Sequence, residues 1–466
     1  MSGAILERTE SLCPVCLAVL PAEIRRSGED ALLCRRCPEH GEFKEIIWRG
    51  PPDFESWKRP KPPAAGVKRQ TERQRGCPFD CGLCPEHGQH PCTVLFEITG
   101  RCNLTCPVCF AGSGKEDSPG SPPFSDLAAL IPQLRRIREQ AGPIVLQLSG
   151  GEPTLHPRLA ELTAAAARLF PAVQLNTNGL LLAGKPGLAK RLAENGLSWV
   201  FLQFDGVRES SFEILRGRPL LKTKLAALEA CAEAGLGVIL VPTVAAGVND
   251  GELGDLVRLA VNTPGVRGVH IQPMTSSGRN SLPGPEHRLT LPEVLRRLEE
   301  QTDGLLRPED AFPPGCEHER CSFHLRYRRL PGGKLIPRPG GNACCSPDCR
   351  AGDTASAAPE ESSANRDRAV EIILKSWKAP ERPPSGTALP MAGSEKADVF
   401  DEFLELARKE TFSVTAMAFQ DVWTADLARL RGCCVQVFRP PDRFIPFCAM
   451  NLTRADGKAL YSRTEA

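Results

Sequence analysis

Three cysteines stand in Cys102-Asn-Leu-Thr-Cys106-Pro-Val-Cys109, directly after the apolar run 94–98. Thiolates at this C-x3-C-x2-C spacing can hold three irons of a [4Fe–4S] cube, whereas a cluster that only carries electrons usually takes four cysteines. The iron left without a protein ligand is open, and an open coordination position is where a metal centre binds a substrate or cofactor. A second apolar run, 144–148, leads into Ser149-Gly150-Gly151-Glu152-Pro153. Two strand-like runs, one ending in thiolates and the next in a glycine-rich turn, restrict the chain to folds that bring both ends together.

The chain has 466 residues, a net charge of +2 and 20 cysteines. Its length predicts two to four domains. The near-neutral charge, with no recognisable DNA- or RNA-binding motif, argues against a nucleic-acid partner. The N-terminus lacks the apolar core of a signal peptide, and no apolar run approaches a membrane-spanning length. The expectation is a cytoplasmic protein, whose reduced thiols bind metals rather than pair as disulfides.

Six apolar runs, 93–98, 144–148, 172–176, 199–204, 237–243 and 268–272, alternate with helix-like patterns at 157–169, 185–193, 220–234 and 252–261. A further helix is predicted after Ser125, with Leu127, Leu130, Leu134 and Ile137 on one face and Pro132 as a kink or a later start. This alternation predicts an α/β fold with a parallel sheet covered by helices. Around the core at 93–280, the pattern divides into a Cys-rich unit at 1–50, a linker at 51–76 and a Cys-rich segment at 77–92. A Cys-bearing extension at 281–351, a linker at 352–396 carrying one amphipathic patch at 369–377, and a final segment at 397–466 follow.

Cys13-x2-Cys16 and Cys34-x2-Cys37, 17 residues apart, read as two knuckles around one mononuclear Fe or Zn ion. Cys77, Cys81 and Cys84 repeat the spacing of the 102–109 triad but precede any strand, and Cys92 can complete them as a closed auxiliary cluster. Cys231 sits on a helical face and reads as a buried apolar residue. Polar residues at strand ends, where open α/β sheets collect ligands, are Asn176, Asn178, Asp205, Asn249 and Gln272. Turn-forming is the competing role for each. Arg216 and Arg218 read equally as carboxylate binders or as structural residues.

The triad together with Gly-Gly-Glu resembles the radical SAM superfamily. The resemblance implies a partial (β/α)6 barrel and a [4Fe–4S] cluster on Cys102, Cys106 and Cys109 whose open iron binds S-adenosylmethionine (SAM). Gly150, Gly151 and Glu152 would position SAM, with Asn176 and Asp205 as further contacts. Leu12-Cys-Pro-Val-Cys16, Cys37-Pro-Glu-His-Gly41, Cys77-Pro-Phe-Asp-Cys-Gly-Leu-Cys84, the 97–111 stretch, Met417-Ala-Phe-Gln-Asp421 and Ile445-Pro-Phe-Cys448 narrow it. Together they are similar to the family that includes archaeal tetraether lipid synthases and methanogen pterin methyltransferases. That family implies a rubredoxin-like site and one or two auxiliary [4Fe–4S] clusters, the second on Cys316, Cys321, Cys433 and Cys448. It also implies a low-potential electron donor such as ferredoxin or flavodoxin. Gln436 stands where the family often has His, and Cys344-Cys345-x3-Cys349 is not a family feature.

The leading expectation is C–C bond formation at an unactivated carbon of a lipid chain, with the substrate at a membrane surface. The alternative is C-methylation of a pterin-like ring, which needs a polar, planar pocket in place of a long apolar tunnel. A reading from another class is an iron–sulfur electron carrier or redox sensor without turnover, for which the open triad with Gly-Gly-Glu has no use.

Overall fold

The computed structural model describes residues 3–59, 70–115, 124–282, 284, 288–338, 373–374, 376–378 and 410–461. Cys344, Cys345, Cys349 and most of the 352–396 stretch lie outside them.

Residues 5–48 form an antiparallel ribbon of β1 (Ile5–Leu12), β2 (Val19–Ser27), β3 (Asp30–Cys37) and β4 (Gly41–Trp48). Leu20, Ala22 and Ile24 alternate inward along β2, the period-two pattern of a strand with one face covered. Residues 51–59, expected to be linker, are packed in part. Phe54 and Trp57 are buried beside Trp48, and the Trp57 indole donates to the Glu319 carbonyl at 2.9 Å.

Each of the six predicted apolar runs is a strand: β5 (Thr93–Glu97), β6 (Val145–Ser149), β7 (Ala172–Thr177), β8 (Trp199–Gln203), β9 (Gly237–Val241) and β10 (Val266–Pro273). They lie side by side in chain order and parallel. This is the partial (β/α)6 barrel, with a helical crossover after each strand. The first crossover helix, Leu127–Ala141, buries Leu127, Leu130, Leu134 and Ile137 against the sheet. Its cap is Asp126 rather than Ser125: the carboxylate accepts from the Leu127 N–H at 2.6 Å. Pro132 lies inside the helix on its exposed side, where the carbonyl freed by the missing N–H can reach water. Helices Glu209–Arg216 and Leu291–Gln301 escaped the periodicity reading.

The last segment joins both edges of this barrel. β11 (Ser322–Arg329) and β12 (Leu335–Pro337) are antiparallel neighbours beyond β13 (Thr411–Met417), which runs parallel to β10. On the other edge β14 (Val435–Arg439) runs parallel to β5, and β15 (Arg443–Pro446) closes it as a hairpin. β5 to β10, β13 and β14 therefore run parallel in one sheet. Trp377, from the amphipathic patch, packs its ring 5.2 Å from Phe201 and 5.7 Å from Trp199, and its indole donates to Ser413 Oγ at 3.1 Å. It closes the barrel interior where the strands begin.

The β10–β13 seam depends on Gly268, where a Cβ would stand 2.2 Å from the Ser413 carbonyl oxygen. Gly268→Ala should cost roughly 1–3 kcal/mol, read as a lower urea midpoint. An unchanged midpoint would mean that the seam adapts freely.

Candidate active site

The loop after β5 carries the cysteine triad and is stapled to the turn after β6 by backbone alone. Gly151 N–H donates to the Thr99 carbonyl and Glu152 N–H to the Arg101 carbonyl, both at 2.8 Å. A Cβ on Gly150 would fall 2.1 Å from the Thr99 oxygen, and one on Gly151 2.2 Å from the Arg101 oxygen. Gly150 also has a φ of 137°, which L side chains rarely adopt. The glycines therefore make room first for the cysteine loop. From the far side Arg279 braces the same loop, its guanidinium donating to the Cys106 carbonyl at 2.6 Å and the Ser113 carbonyl at 2.9 Å. No sequence spacing marked Arg279.

Cys102, Cys106 and Cys109 all face one chamber of about 400 Å³ inside the barrel. Burial, and then the charges of Glu152, Cys106 and Cys109, push the Cys102 thiol up to about 12. Burial likewise raises Cys106, opposed by the Arg216 guanidinium. Three thiols converging on one chamber, two of them raised by burial, are a donor set that a cationic iron cluster suits. The side chains fit a [4Fe–4S] cluster.

The polar residues divide into chamber groups and supports. Glu152 accepts from Thr154 N–H (3.0 Å) and Oγ1 (2.5 Å), Thr177 Oγ1 (2.6 Å) and Asn178 N–H (2.7 Å). Its carboxylate thus ties the turn after β6 to the end of β7. Asp205, expected as a SAM contact, lies behind the chamber wall. It grips Arg216 through two hydrogen bonds of 2.7 and 2.6 Å, and Arg216 in turn reaches the Val108 carbonyl at 2.8 Å. Arg216 faces the chamber and Arg218 is exposed. Asn249 holds the Asp205 and Thr243 carbonyls from below (2.6 and 2.8 Å).

Asn176, Asn178 and Gln272 do line the chamber, with Gln147, Gln174 and Gln203. Asn176 Nδ2 donates to Gln147 Oε1 at 3.0 Å and its Oδ1 accepts from Gln174 Nε2 at 2.5 Å. Behind this amide row the buried Lys224 ammonium donates to Gln203 Oε1 (2.6 Å) and the Asn178 carbonyl (2.5 Å); burial pulls it down to about 7. Beyond the amides stand His270, Phe201 and Trp377. Burial holds His270 near 4, so its imidazole is neutral at physiological pH, and Nδ1 lies 2.8 Å from Thr415 Oγ1.

The remaining cysteines regroup. Cys13, Cys16 and Cys37 converge with His40, their ligand atoms all within 4.8 Å of one another. Cys34 is not in the set: its Sγ donates to the Leu32 carbonyl at 3.8 Å. Residues three apart on a strand face opposite sides, so Cys34 in β3 cannot share a ligand face with Cys37. The signal missed was Cys37-Pro-Glu-His40, a turn that returns the imidazole to the thiols. His40 hydrogen-bonds Cys37 at 3.4 Å and lowers that thiol to about 6, ready for a metal.

Cys77, Cys81 and Cys84 stay together and buried, with the Cys81 thiol raised by its hydrogen bond to Cys77 and by burial. Cys92 does not join them: its Sγ lies 3.0 Å from Cys434. Of the expected C-terminal four, Cys321, Cys433 and Cys448 cluster around Arg429, whose guanidinium is 3.3 Å from Cys321 Sγ. Cys316 has moved to Cys92. Cys231 is fully buried, as a core residue.

Comparison with known proteins defines the class first. A radical SAM superfamily model matches residues 96–260, and an HMPTM N-terminal zinc ribbon model matches residues 5–49. The chain is 32% identical over 480 residues to the 7,8-dihydro-6-hydroxymethylpterin dimethyltransferase of Methanocaldococcus jannaschii, covering 96% of this chain and 93% of that one. It is 30% identical over 256 residues to the GTP 3′,8-cyclase of Paenarthrobacter nicotinovorans, covering 53% of this chain and 68% of the relative. Streptococcus suis SuiB bound to S-adenosylmethionine matches with a TM-score of 0.37 and 16% identity over 46% of this chain and 48% of that one. This chain is a radical SAM enzyme. It belongs to the radical SAM family that contains the hydroxymethylpterin dimethyltransferase, whose cofactors are SAM and [4Fe–4S], with a further metal site in the zinc-ribbon module.

Two outcomes follow from the geometry. His40→Ala should remove about one metal ion per chain, measured by inductively coupled plasma mass spectrometry, while Cys34→Ser retains it; the reverse pattern would restore the four-cysteine site. Gly151→Ala should displace the cysteine loop and lower the iron bound after anaerobic reconstitution, with the zinc-ribbon metal unchanged.

Proposed function

We propose that this radical SAM enzyme methylates a carbon of a pterin-like ring. The observation carrying the reading is the amide row of Gln147, Gln174, Asn176, Gln203 and Gln272 on the chamber wall. Amides both donate and accept, which suits the alternating N–H, N and C=O edge of a planar heterocycle. Phe201 and Trp377 supply flat apolar faces beside it. A lipid chain would satisfy none of the hydrogen-bonding capacity that these amides have left over from pairing with one another, at a cost. The full-length similarity to a pterin dimethyltransferase supports the same choice, so the alternative reading of the sequence replaces lipid coupling as the leading one.

Cys102, Cys106 and Cys109 would hold the cluster, and the Gly150–Gly151 backbone and Asn176 would line the SAM position. When bound there, SAM with a reduced cluster would supply radical chemistry able to take hydrogen from an unactivated carbon. Arg216 sets the electrostatics of Cys106, and Asp205 holds Arg216 in place. The neutral His270 offers a hydrogen bond without adding charge. Cys77, Cys81 and Cys84 would carry an auxiliary cluster, as would Cys321, Cys433 and Cys448. A ferredoxin or flavodoxin in the cytoplasm would deliver the electron.

Among the described residues no helix is long and apolar enough to cross a membrane. The test is anaerobic turnover with dithionite and SAM, adding either a hydroxymethyl-dihydropterin pool or a lipid extract. Pterin should stimulate 5′-deoxyadenosine release over a Cys106→Ala control and gain one methyl group or two by mass. Stimulation by lipid alone would reverse the assignment, and no release at all would revive the electron-carrier reading.

A further inference from the structure

Trp199 is fully buried at the start of β8, and its indole Nε1–H donates to Gln174 Oε1 at 2.8 Å. An indole can only donate, so the Gln174 amide must turn its oxygen to Trp199 and its NH2 away. Gln174 Nε2 then donates to Asn176 Oδ1 at 2.5 Å, and Asn176 Nδ2 donates to Gln147 Oε1 at 3.0 Å. Each link fixes the orientation of the next amide, so the three run in one direction from β8 through β7 to β6. The row stops at Gln147, whose register neighbour on β5 is Leu95, a side chain with no acceptor. Gln147 faces the chamber, and its Nε2 meets no acceptor among the described residues. Lys224 orients a fourth amide in the same manner. Its donor-only ammonium holds Gln203 Oε1 at 2.6 Å, which turns the Gln203 NH2 to Asp205 Oδ2.

We propose that Trp199 is a positioning residue that makes this wall directional, so that Gln147 presents its NH2 to the ring carbonyl of the bound heterocycle. An amide free to rotate donates or accepts with equal ease and cannot tell one ring edge from another. Rotating Gln147 here would set its NH2 against the NH2 of Asn176, and restoring that link would undo every link back to the indole. A ring edge that brings N–H to this position sets two donors against each other, whereas a carbonyl completes the row. The side chains flanking the row are carbon: Leu95 beside Gln147, and Phe201 beside Asn176. Neither offers the Gln147 NH2 a competing partner. Trp199 thereby selects ligand polarity without touching the ligand. The proposal rests on the pterin reading for the identity of the ring; the direction of the row does not depend on it.

The test has one arm with ligand and one without. Binding of 7,8-dihydro-6-hydroxymethylpterin to the anaerobically reconstituted full chain is compared, by equilibrium dialysis, with binding of the analogue that has C–H in place of the ring carbonyl. The wild type should favour the carbonyl compound by about tenfold. Gln147→Met and Trp199→Phe should each bring that ratio towards one. A merely structural role for Trp199 would weaken both compounds equally and leave the ratio where it was. A wild-type ratio of one, or a ratio unchanged in both variants, would overturn the proposal. If Trp199→Phe does not fold, Gln147→Met carries this arm. The ligand-free arm is neutron diffraction from deuterated wild-type crystals, which distinguishes an amide ND2 from its oxygen. The Gln147 ND2 turned away from Asn176 supports the directional row, and the reverse orientation overturns it. If the wild type binds neither pteridine, the pterin reading falls, and the neutron map decides the direction of the row by itself.

Discussion

The contact on which the site depends is between two stretches of backbone: the cysteine loop after β5 and the Gly150–Gly151 turn after β6. Two hydrogen bonds of 2.8 Å join them. Neither glycine could carry a Cβ without colliding with a carbonyl of the loop. A cluster held by three cysteines needs each sulfur placed on a different iron of one cube, and a loop of eight residues cannot hold them by itself. The turn supplies the missing rigidity, and the Glu152 carboxylate ties that turn to the next strand. Three successive strand ends thereby form one unit at the chamber wall.

Rings of support surround this unit. Asp205 and Arg216 are both buried, and their paired hydrogen bonds place a fixed positive charge beside Cys106. An isolated charge there would be costly, so the carboxylate behind it is part of the arrangement. Arg279 grips the outer carbonyls of the loop. The chamber is closed below by Trp377 and flanked by strands from the end of the chain. Residues 410–461 are thus part of the barrel wall: β13 extends one edge and β14 the other. That placement is what lets Cys434 meet Cys92.

The radical SAM class was legible because its chemistry is local. Cys102, Cys106 and Cys109 lie within one loop, and the apolar runs before them and before Gly150 are continuous. The six strands emerged for the same reason, since strands covered on both faces read as unbroken apolar runs. Errors arose where face or distance mattered. Cys34 and Cys37 have the spacing of a knuckle but occupy a strand, so His40 takes the place beside Cys37. Asp205 sits at a strand end like a ligand-binding residue, yet it turns away to hold Arg216. Helix Glu209–Arg216 is short and was hidden by its charged residues.

The amino-acid sequence by itself determined the order of strands, the cysteine triad and the glycine turn that answers it, because hydrophobic period and short-range spacing are written along the chain. Only the tertiary structure decided which distant cysteines lie together. Cys92 meets Cys316 and Cys434 where β5, β11 and β14 begin, beside Cys433, which groups with Cys321 and Cys448. The reason is physical. Sulfur ligands are chosen by position in space, and that position is set by sheet pairing between segments hundreds of residues apart, which no local pattern encodes.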